Sequence, residues 1–295
     1  MGRASLTVGR LFEGHINGAI LIDAYGNAVN RQLALTEALH GRLVGIWNAE
    51  RDQGLVARRC NGGWFLNGRK VFCSGAGSIQ RPIVTAEVTS NKNRLMMMPK
   101  IGDAQVDLST WRPAGMRGTA TGSVTFEELF VPDADVVGRL GDYPRSPLFS
   151  GGAWRVLAVQ LGGLQRIMTL HAERLNQREV LNDAVVKTRF AIAAQQLELA
   201  RLLVDEARRR YDDLNQAPDA IDAYVDGARN GFEELALSII MNTRRNIGLA
   251  SFITPDPLDL VIRDLETYLR QPFLDKSRDH AAQWLLERKG RYDYA

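Results

Sequence analysis

Apolar and polar positions change their period twice along the chain, and the changes mark three regions. In residues 1–38, Leu11, Ile16, Ala19, Ile20 and Ala24 recur at helical spacing, and Gly26-Asn27 stops that helix after Tyr25. Asn30–His40 reads as a second helix. In residues 39–142 the pattern shortens to β-rich runs at Arg42–Trp47, Leu55–Arg59, Trp64–Leu66, Lys70–Cys73, Ile83–Val88, Leu95–Met98 and Ser123–Val131. Asn67-Gly68, between two of these runs, predicts a hairpin turn, because both central residues of such a turn take positive φ. Short strands in succession predict a small β-barrel or sandwich rather than alternating βα units. Residues 143–295, entered through Pro144 and Pro147, are helical. Val186, Phe190, Ala193, Leu197, Ala200, Val204 and Ala207 alternate at spacings of four and three, a seam for antiparallel helix packing over Asp183–Tyr211. Further helices are predicted near 151–175, 219–249, 257–270 and 273–289, with Asp256 capping the third of these and Pro257 at its first position.

Composition narrows the function classes. With 295 residues, 45% hydrophobic and 24% charged, the chain can build cores for two or three domains, so disorder as its main state is excluded. No apolar run reaches the roughly 18 residues of a membrane span. Glu13, His15 and Asp23 interrupt the N-terminal helix where a secretory signal would be apolar, so a cytoplasmic protein is expected. The net charge is +3, and the basic residues are scattered apart from Arg208-Arg209-Arg210 and Arg244-Arg245, which read as solvated helix faces rather than a nucleic-acid surface. Cys60 and Cys73 flank the predicted hairpin and are expected as free thiols, and His15, His40, His171 and His280 show no ligand spacing, so no metal is expected. Gly115-Met116-Arg117-Gly118 fits neither a P-loop nor a dinucleotide fingerprint, and no Gly-x-Ser-x-Gly elbow occurs.

Four collinear segments are more specific. Leu66-Asn67-Gly68-Arg69-Lys70-Val71-Phe72-Cys73-Ser74 resembles the NG-x-K-x-(W/F)-x-(S/T) strand of acyl-CoA dehydrogenases. Met116-Arg117-Gly118-Thr119-Ala120-Thr121-Gly122-Ser123-Val124-Thr125-Phe126, followed by Val131-Pro132, resembles that family's MRGT-x-TG-x-V-x-F…VP stretch. Gly45–Glu50 resembles the strand that opens its β domain, and Arg263-Asp264 its C-terminal RD helix. The resemblance covers nearly the whole chain. It implies an α+β multidomain fold: partial N-terminal helices (1–38), a central β-barrel or sandwich domain (39–142) and a C-terminal four-helix bundle (143–295). It also implies FAD, an acyl-CoA or acyl-carrier thioester substrate from fatty acid metabolism, oxidation at its CH–CH group, and self-association as a dimer or tetramer through the bundle.

Site residues follow from the same resemblance. Trp47, Asn48 and Ala49 match positions that meet the flavin ring through backbone groups. Phe72 matches the aromatic residue, often Trp, that covers the ring face; Cys73 lies beside it, and Ser74 matches the hydroxyl that approaches flavin N5. Arg174, in Glu173-Arg174, matches an arginine that reaches the cofactor pyrophosphate of a neighbouring subunit. Gly248 matches the first glycine of a Q-x-x-GG-x-G loop, although Leu249 and Ser251 replace its companion glycines and Arg245-Asn246 its Gln region.

The departures bear on the chemistry. The family removes the substrate α-proton with a glutamate, and its two usual positions fall here at Pro272 and near Ala153, neither acidic. Glu266 and Asp264 are expected in salt bridges. The N-terminal helical region is also short for the family. Two rival readings therefore stand beside the dehydrogenase. One is a flavin-dependent monooxygenase of the same fold, which needs no such carboxylate. The other is a non-catalytic subunit of a heteromeric acyl-CoA dehydrogenase.

Overall fold

The computed structural model describes residues 1–52, 54–88, 93–178, 180–270 and 273–288. They form two compact units: a helical unit of Met1–Gly9, Pro113–Met116 and the chain from Phe149 onward, and a β unit of Arg10–Arg112 and Arg117–Leu148.

In the β unit, most of α1 (Leu6–Tyr25) and all of α2 (Ala28–Leu39) accompany eight strands. Asn27 starts α2 through a capping box, its side chain accepting from the Asn30 N–H while the Asn30 side chain accepts from the Asn27 N–H. The strands are β1 (Ile46–Trp47), β2 (Val56–Cys60), β3 (Gly63–Cys73), β4 (Ile83–Val88), β5 (Arg94–Met97), β6 (Gln105–Asp107), β7 (Gly122–Pro132) and β8 (Val136–Val137). They lie in the order β6-β7-β3-β2-β4-β5-β8, with β1 also on β4. Val84 pairs with both Trp47 and Met97, and Glu87 with both Val56 and Arg94. β1 and β2 therefore occupy the same edge of β4, in tandem and both parallel to it. After Trp47 the chain leaves the ladder, and it rejoins at Leu55, whose carbonyl accepts from the Glu87 N–H at 2.8 Å. Trp47, Leu55, Leu66, Val84, Met97, Val124 and Phe126 form the core of this sheet. A second cluster joins Leu21 and Ile22 of α1 to Val44, Ile83, Met96 and Val137.

The hairpin predicted at Asn67-Gly68 is corrected. β3 runs unbroken from Gly63 to Cys73, and the chain reverses at Asn61-Gly62, where Gly62 has φ of 73°. At Asn67-Gly68 the strand faces a bulge instead. Leu66 pairs with Leu129 and Gly68 with Phe126, so β7 carries one extra residue. Glu128 there takes φ of 48°, and Asn67 holds it, accepting from its N–H at 2.9 Å and donating to its carboxylate at 2.5 Å. Gly68, at φ of 122°, has the Gly54 carbonyl where a Cβ would stand.

The helical unit contains α3 (Trp154–Gln177), α4 (Ala184–Asp212), α5 (Pro218–Ile247), a 3₁₀ turn (Gly248–Phe252), α6 (Pro257–Leu269) and α7 (Leu274–Glu287). Asp183 caps α4 by accepting from Val185 and Val186, and Asp256 caps α6, with Pro257 following as the pattern predicts. The buried stripe of α4 is Ala193, Ala200, Val204 and Ala207, small residues that admit close helix approach, while Val186, Phe190 and Leu197 of the predicted seam are half-buried. His171 of α3 lies fully buried, its ring edge-to-face on Phe190 at 5.1 Å, with Thr243 on Nδ1 and Asn246 on Nε2, each at 3.1 Å. Burial lowers its pKa to about 4, so the imidazole is neutral. Among the described residues no helix is long and apolar enough to cross a membrane.

Candidate functional site

The β unit brings six of the predicted residues together at the ends of β1 and β3. The Val71 N–H donates to the Ala49 carbonyl at 3.0 Å, and the Trp47 indole N–H donates to the Ser74 carbonyl at 3.1 Å. The side chains separate into two roles. Trp47 is 1% exposed and is core. Cys73 is equally enclosed, and burial pushes its thiol up to about 12, so it is inert as a nucleophile. Ala49 is exposed, and among the described residues its N–H has no hydrogen-bond partner. Phe72 is 54% exposed.

Phe72 owes that exposure to a second bulge. Lys70 pairs with Val124 and Cys73 with Gly122, so here β3 carries the extra residue. Phe72 takes φ of 53°, a conformation costly for a bulky side chain, and its ring swings outward beneath the Arg51 guanidinium, 5.2 Å from the centroid. Strain of this kind accumulates at functional positions. Just beyond it stands a row of hydroxyls. Thr119 and Thr121 share a hydrogen bond at 2.8 Å, and Thr121 donates to the half-buried Ser74 hydroxyl at 3.5 Å.

Beneath these residues lies an ionic cluster, of which the motifs contain Lys70 and Glu50 without a role. Lys70 is fully buried and spends its three ammonium protons on the Asn48 carbonyl at 3.1 Å, Glu50 Oε1 at 2.5 Å and Thr85 Oγ1 at 3.1 Å. Thr85 donates to Asn48 Oδ1 at 2.6 Å. Glu50 also takes both Arg94 Nη groups and the Leu55 N–H. Desolvation wins at the enclosed lysine, lowering it to about 8. At the half-open glutamate, burial would raise the pKa, but Arg94 and Lys70 hold it down to about 2. The signal for Lys70 was available: it stands in phase with buried Leu66 on the inward face of β3.

Arg174 and Gly248 belong to the helical unit. Arg174 is ion-paired with Asp256, and Gly248 ends α5 with φ of 72°. Arg178 donates to the Ile247 carbonyl at 2.9 Å, tying the C-terminal turns of α3 and α5 together. The Arg263-Asp264 pair anchors backbone. Asp264 accepts from the Met116 N–H at 2.5 Å, Thr267 from the Gly115 N–H at 3.0 Å, and Arg263 donates to the Ala114 carbonyl at 2.7 Å. Gly115 is required because a Cβ there would overlap the Arg263 backbone. The salt bridge expected for Asp264 is thus replaced by a backbone contact, and burial raises its pKa. Glu266 does pair, with Arg244 at 2.7 Å. Ala153 lines a cavity of about 40 Å³ with Gln160, Arg229, Glu233, Leu269 and Leu274, and Glu233, the one carboxylate on that wall, is ion-paired with Arg270. Pro272 lies outside the described residues. Cys60 and Cys73 are free thiols, and no metal-binding cluster occurs among the described residues.

No family profile matches the chain. Individual proteins do. The isovaleryl-CoA dehydrogenase of Solanum tuberosum is 30% identical over 155 residues, 48% of this chain and 37% of that protein. A glutaryl-coenzyme A dehydrogenase solved with glutaryl-CoA superposes with a TM-score of 0.85 over 100% of this chain and 78% of that one, at 20% identity. The chain is thus similar in sequence to acyl-CoA dehydrogenases and has their fold. Other similar proteins are named for different reactions. The 3-(aryl)acrylate reductase of Clostridium sporogenes (strain ATCC 15579) is 28% identical over 231 residues, 74% of this chain and 60% of that protein. The dibenzothiophene monooxygenase TdsC of Paenibacillus sp. A11-2, solved with FMN and indole, superposes with a TM-score of 0.84 at 18% identity over 97% of this chain and 81% of that one. The chain spans 61% of a Bacillus subtilis relative's length and 37% of the Solanum tuberosum enzyme's.

Proposed function

We propose that this chain is a member of the acyl-CoA dehydrogenase superfamily and a flavin-binding oxidoreductase acting on the CH–CH group of an acyl thioester. The observation that carries the reading is the outward, strained Phe72 placed between an exposed backbone shelf and a row of hydroxyls. These residues fit a flavin. Phe72 offers an apolar face for the flat ring, while the Ala49 N–H and the Ser74 hydroxyl are donors for a polar edge. A bound flavin supplies a two-electron acceptor that no side chain provides. The inward Trp47 and Cys73 act only by fixing the shelf. Likeness to acyl-CoA dehydrogenases supports FAD, with Arg174 and Gly248 serving the phosphates of a neighbouring subunit's cofactor. TdsC and the sugar-nucleotide-binding KijD3 are described with FMN, so heat release of the flavin decides which is held.

The second reading is a monooxygenase using reduced flavin and oxygen. It is favoured by one observation: the described position nearest an expected base is Ala153, and the one carboxylate on its cavity wall is engaged with Arg270. The test is the visible spectrum of the purified protein. Under the first reading a bound flavin is bleached by acyl-CoA; under the second, acyl-CoA leaves it unchanged and reduced flavin drives oxygen uptake. A colourless protein that also rejects added FAD and FMN overturns both and leaves a non-catalytic subunit that completes a partner's site.

Self-association belongs to the same proposal. Leu237, Met241, Leu249, Phe252 and Ile253 are all more than 40% exposed around the end of α5 and the following turn. Such clustered apolar exposure marks a protein interface more often than a free surface.

A further inference from the structure

The burial of Lys70 is not explained by stability. Replacing a buried ion cluster with apolar side chains is often neutral or stabilising, so such a cluster needs another reason to persist. Its contacts supply one. Lys70 holds the Asn48 carbonyl, Thr85 holds the Asn48 side-chain oxygen, and Glu50, gripped by Lys70 and Arg94, holds the Leu55 N–H. The segment between β1 and β2 meets β4 through the Glu87 N–H on the Leu55 carbonyl at its far end, and side chains from β3, β4 and β5 pin it further at both ends. Lys70 reaches the segment from below, two residues before the Phe72 bulge on the same strand. One cation thus couples the position of the shelf to that of the bulge.

We propose that Lys70, Glu50, Arg94 and Thr85 are positioning residues that hold the Asn48–Glu50 backbone in register with Phe72 and Ser74 for flavin binding. The inference rests on the flavin reading given above and assigns the affinity of that site to groups that do not touch the ligand. Free chain cannot hold a backbone N–H toward a planar edge without paying its ordering entropy on binding; a pinned segment has already lost it.

The test uses the full chain with added FAD and, separately, FMN. Thr85→Val is nearly isosteric and removes only the hydroxyl that bonds Asn48 and Lys70; Lys70→Met removes the cation. Asn67→Ala, opposite the bulge of β7, is the control for a general loosening of the strand. The expected result is faster amide hydrogen exchange at residues 49–55 in both test variants without flavin, and a flavin Kd raised about tenfold, the size of one lost buried hydrogen bond. The bound flavin's visible band also shifts, whereas Asn67→Ala leaves exchange, Kd and band as in the wild type. If Lys70→Met does not fold, Thr85→Val alone carries the comparison. Unchanged exchange in Thr85→Val overturns the pinning. Faster exchange with wild-type flavin affinity and spectrum overturns the positioning role. Wild-type chain that binds neither flavin overturns the flavin reading and this inference with it, and the exchange data then still show whether the pinning exists.

Discussion

Two ionisable side chains set the acid response, one in each unit. His171 is a base whose folded pKa is lowered by burial to about 4, so between its ordinary value and 4 the unfolded chain binds the proton more tightly. Its neutral form stabilises the helical unit fully above about pH 6.5, and that stability is lost as pH falls toward 4. Glu50 is an acid held down to about 2, so its contribution to the β unit is full above the ordinary glutamate range and is lost only as pH falls from there toward 2. Acid titration followed by circular dichroism and hydrogen exchange is expected to loosen α3–α5 before the sheet. His171→Phe should remove the first phase, at a cost of about 1–3 kcal/mol for the unpaired Thr243 and Asn246. Asp264 behaves oppositely. Its folded pKa is raised, so the folded chain retains the proton longer and stability falls as pH rises through that window. Asp264→Asn is expected to abolish that fall with little loss of stability, and Asp264→Ala to cost about 1–2 kcal/mol through the Met116 N–H; chemical denaturation across pH 3–7 checks both.

At the scale of elements, the two bulges of the β3–β7 ladder separate what local chemistry dictates from what pairing dictates. Two Asn-Gly pairs stand six positions apart, and both carry the same positive-φ preference. Nothing local says which one turns the chain. Pairing with β7 decides it, because Trp64↔Val131 through Leu66↔Leu129 keeps β3 straight past Asn67. Helix signals were legible because they are local: Asp183, Asp256 and Pro257 act within one turn of their own helices. Gly68→Ala should destabilise by about 1–3 kcal/mol, since it adds both a left-handed penalty and a clash with the Gly54 carbonyl; a urea midpoint measures it. Phe72→Asn should leave stability unchanged or raise it by about 1 kcal/mol by relieving φ of 53° while lowering retained flavin. Stability lost in that variant would mean the ring is structural.

For the whole molecule, the order of helices, strands and helices and the likeness to acyl-CoA dehydrogenases were readable from spaced motifs, each short enough to survive at 18–30% identity to similar proteins. The candidate site was readable only as positions. Sequence pointed to Trp47 and Phe72 alike, yet one is core and the other is turned out by a bulge that depends on β7. It missed Lys70 and Thr85 because their partners lie on strands that only the fold brings together. Light scattering at micromolar concentration is expected to give a mass of at least two chains, and Met241→Glu with Phe252→Glu to reduce it to one. A wild-type monomer would contradict self-association through that surface.

The tandem arrangement of β1 and β2 on one edge of β4 has a further consequence. A sheet edge invites another strand, and a ligand-binding edge runs the risk of accepting the wrong one. Here the edge is already taken at both ends, and in the short interval between them the exposed Ala49 keeps its N–H open. No strand can zip onto an interval flanked by occupied ladder, but a small rigid molecule can meet it. Recognition through a peptide group also leaves an exposed side chain such as Ala49 under little selection, so descendants of this fold can change that letter while Asn48, Glu50 and the pins beneath them hold the shape.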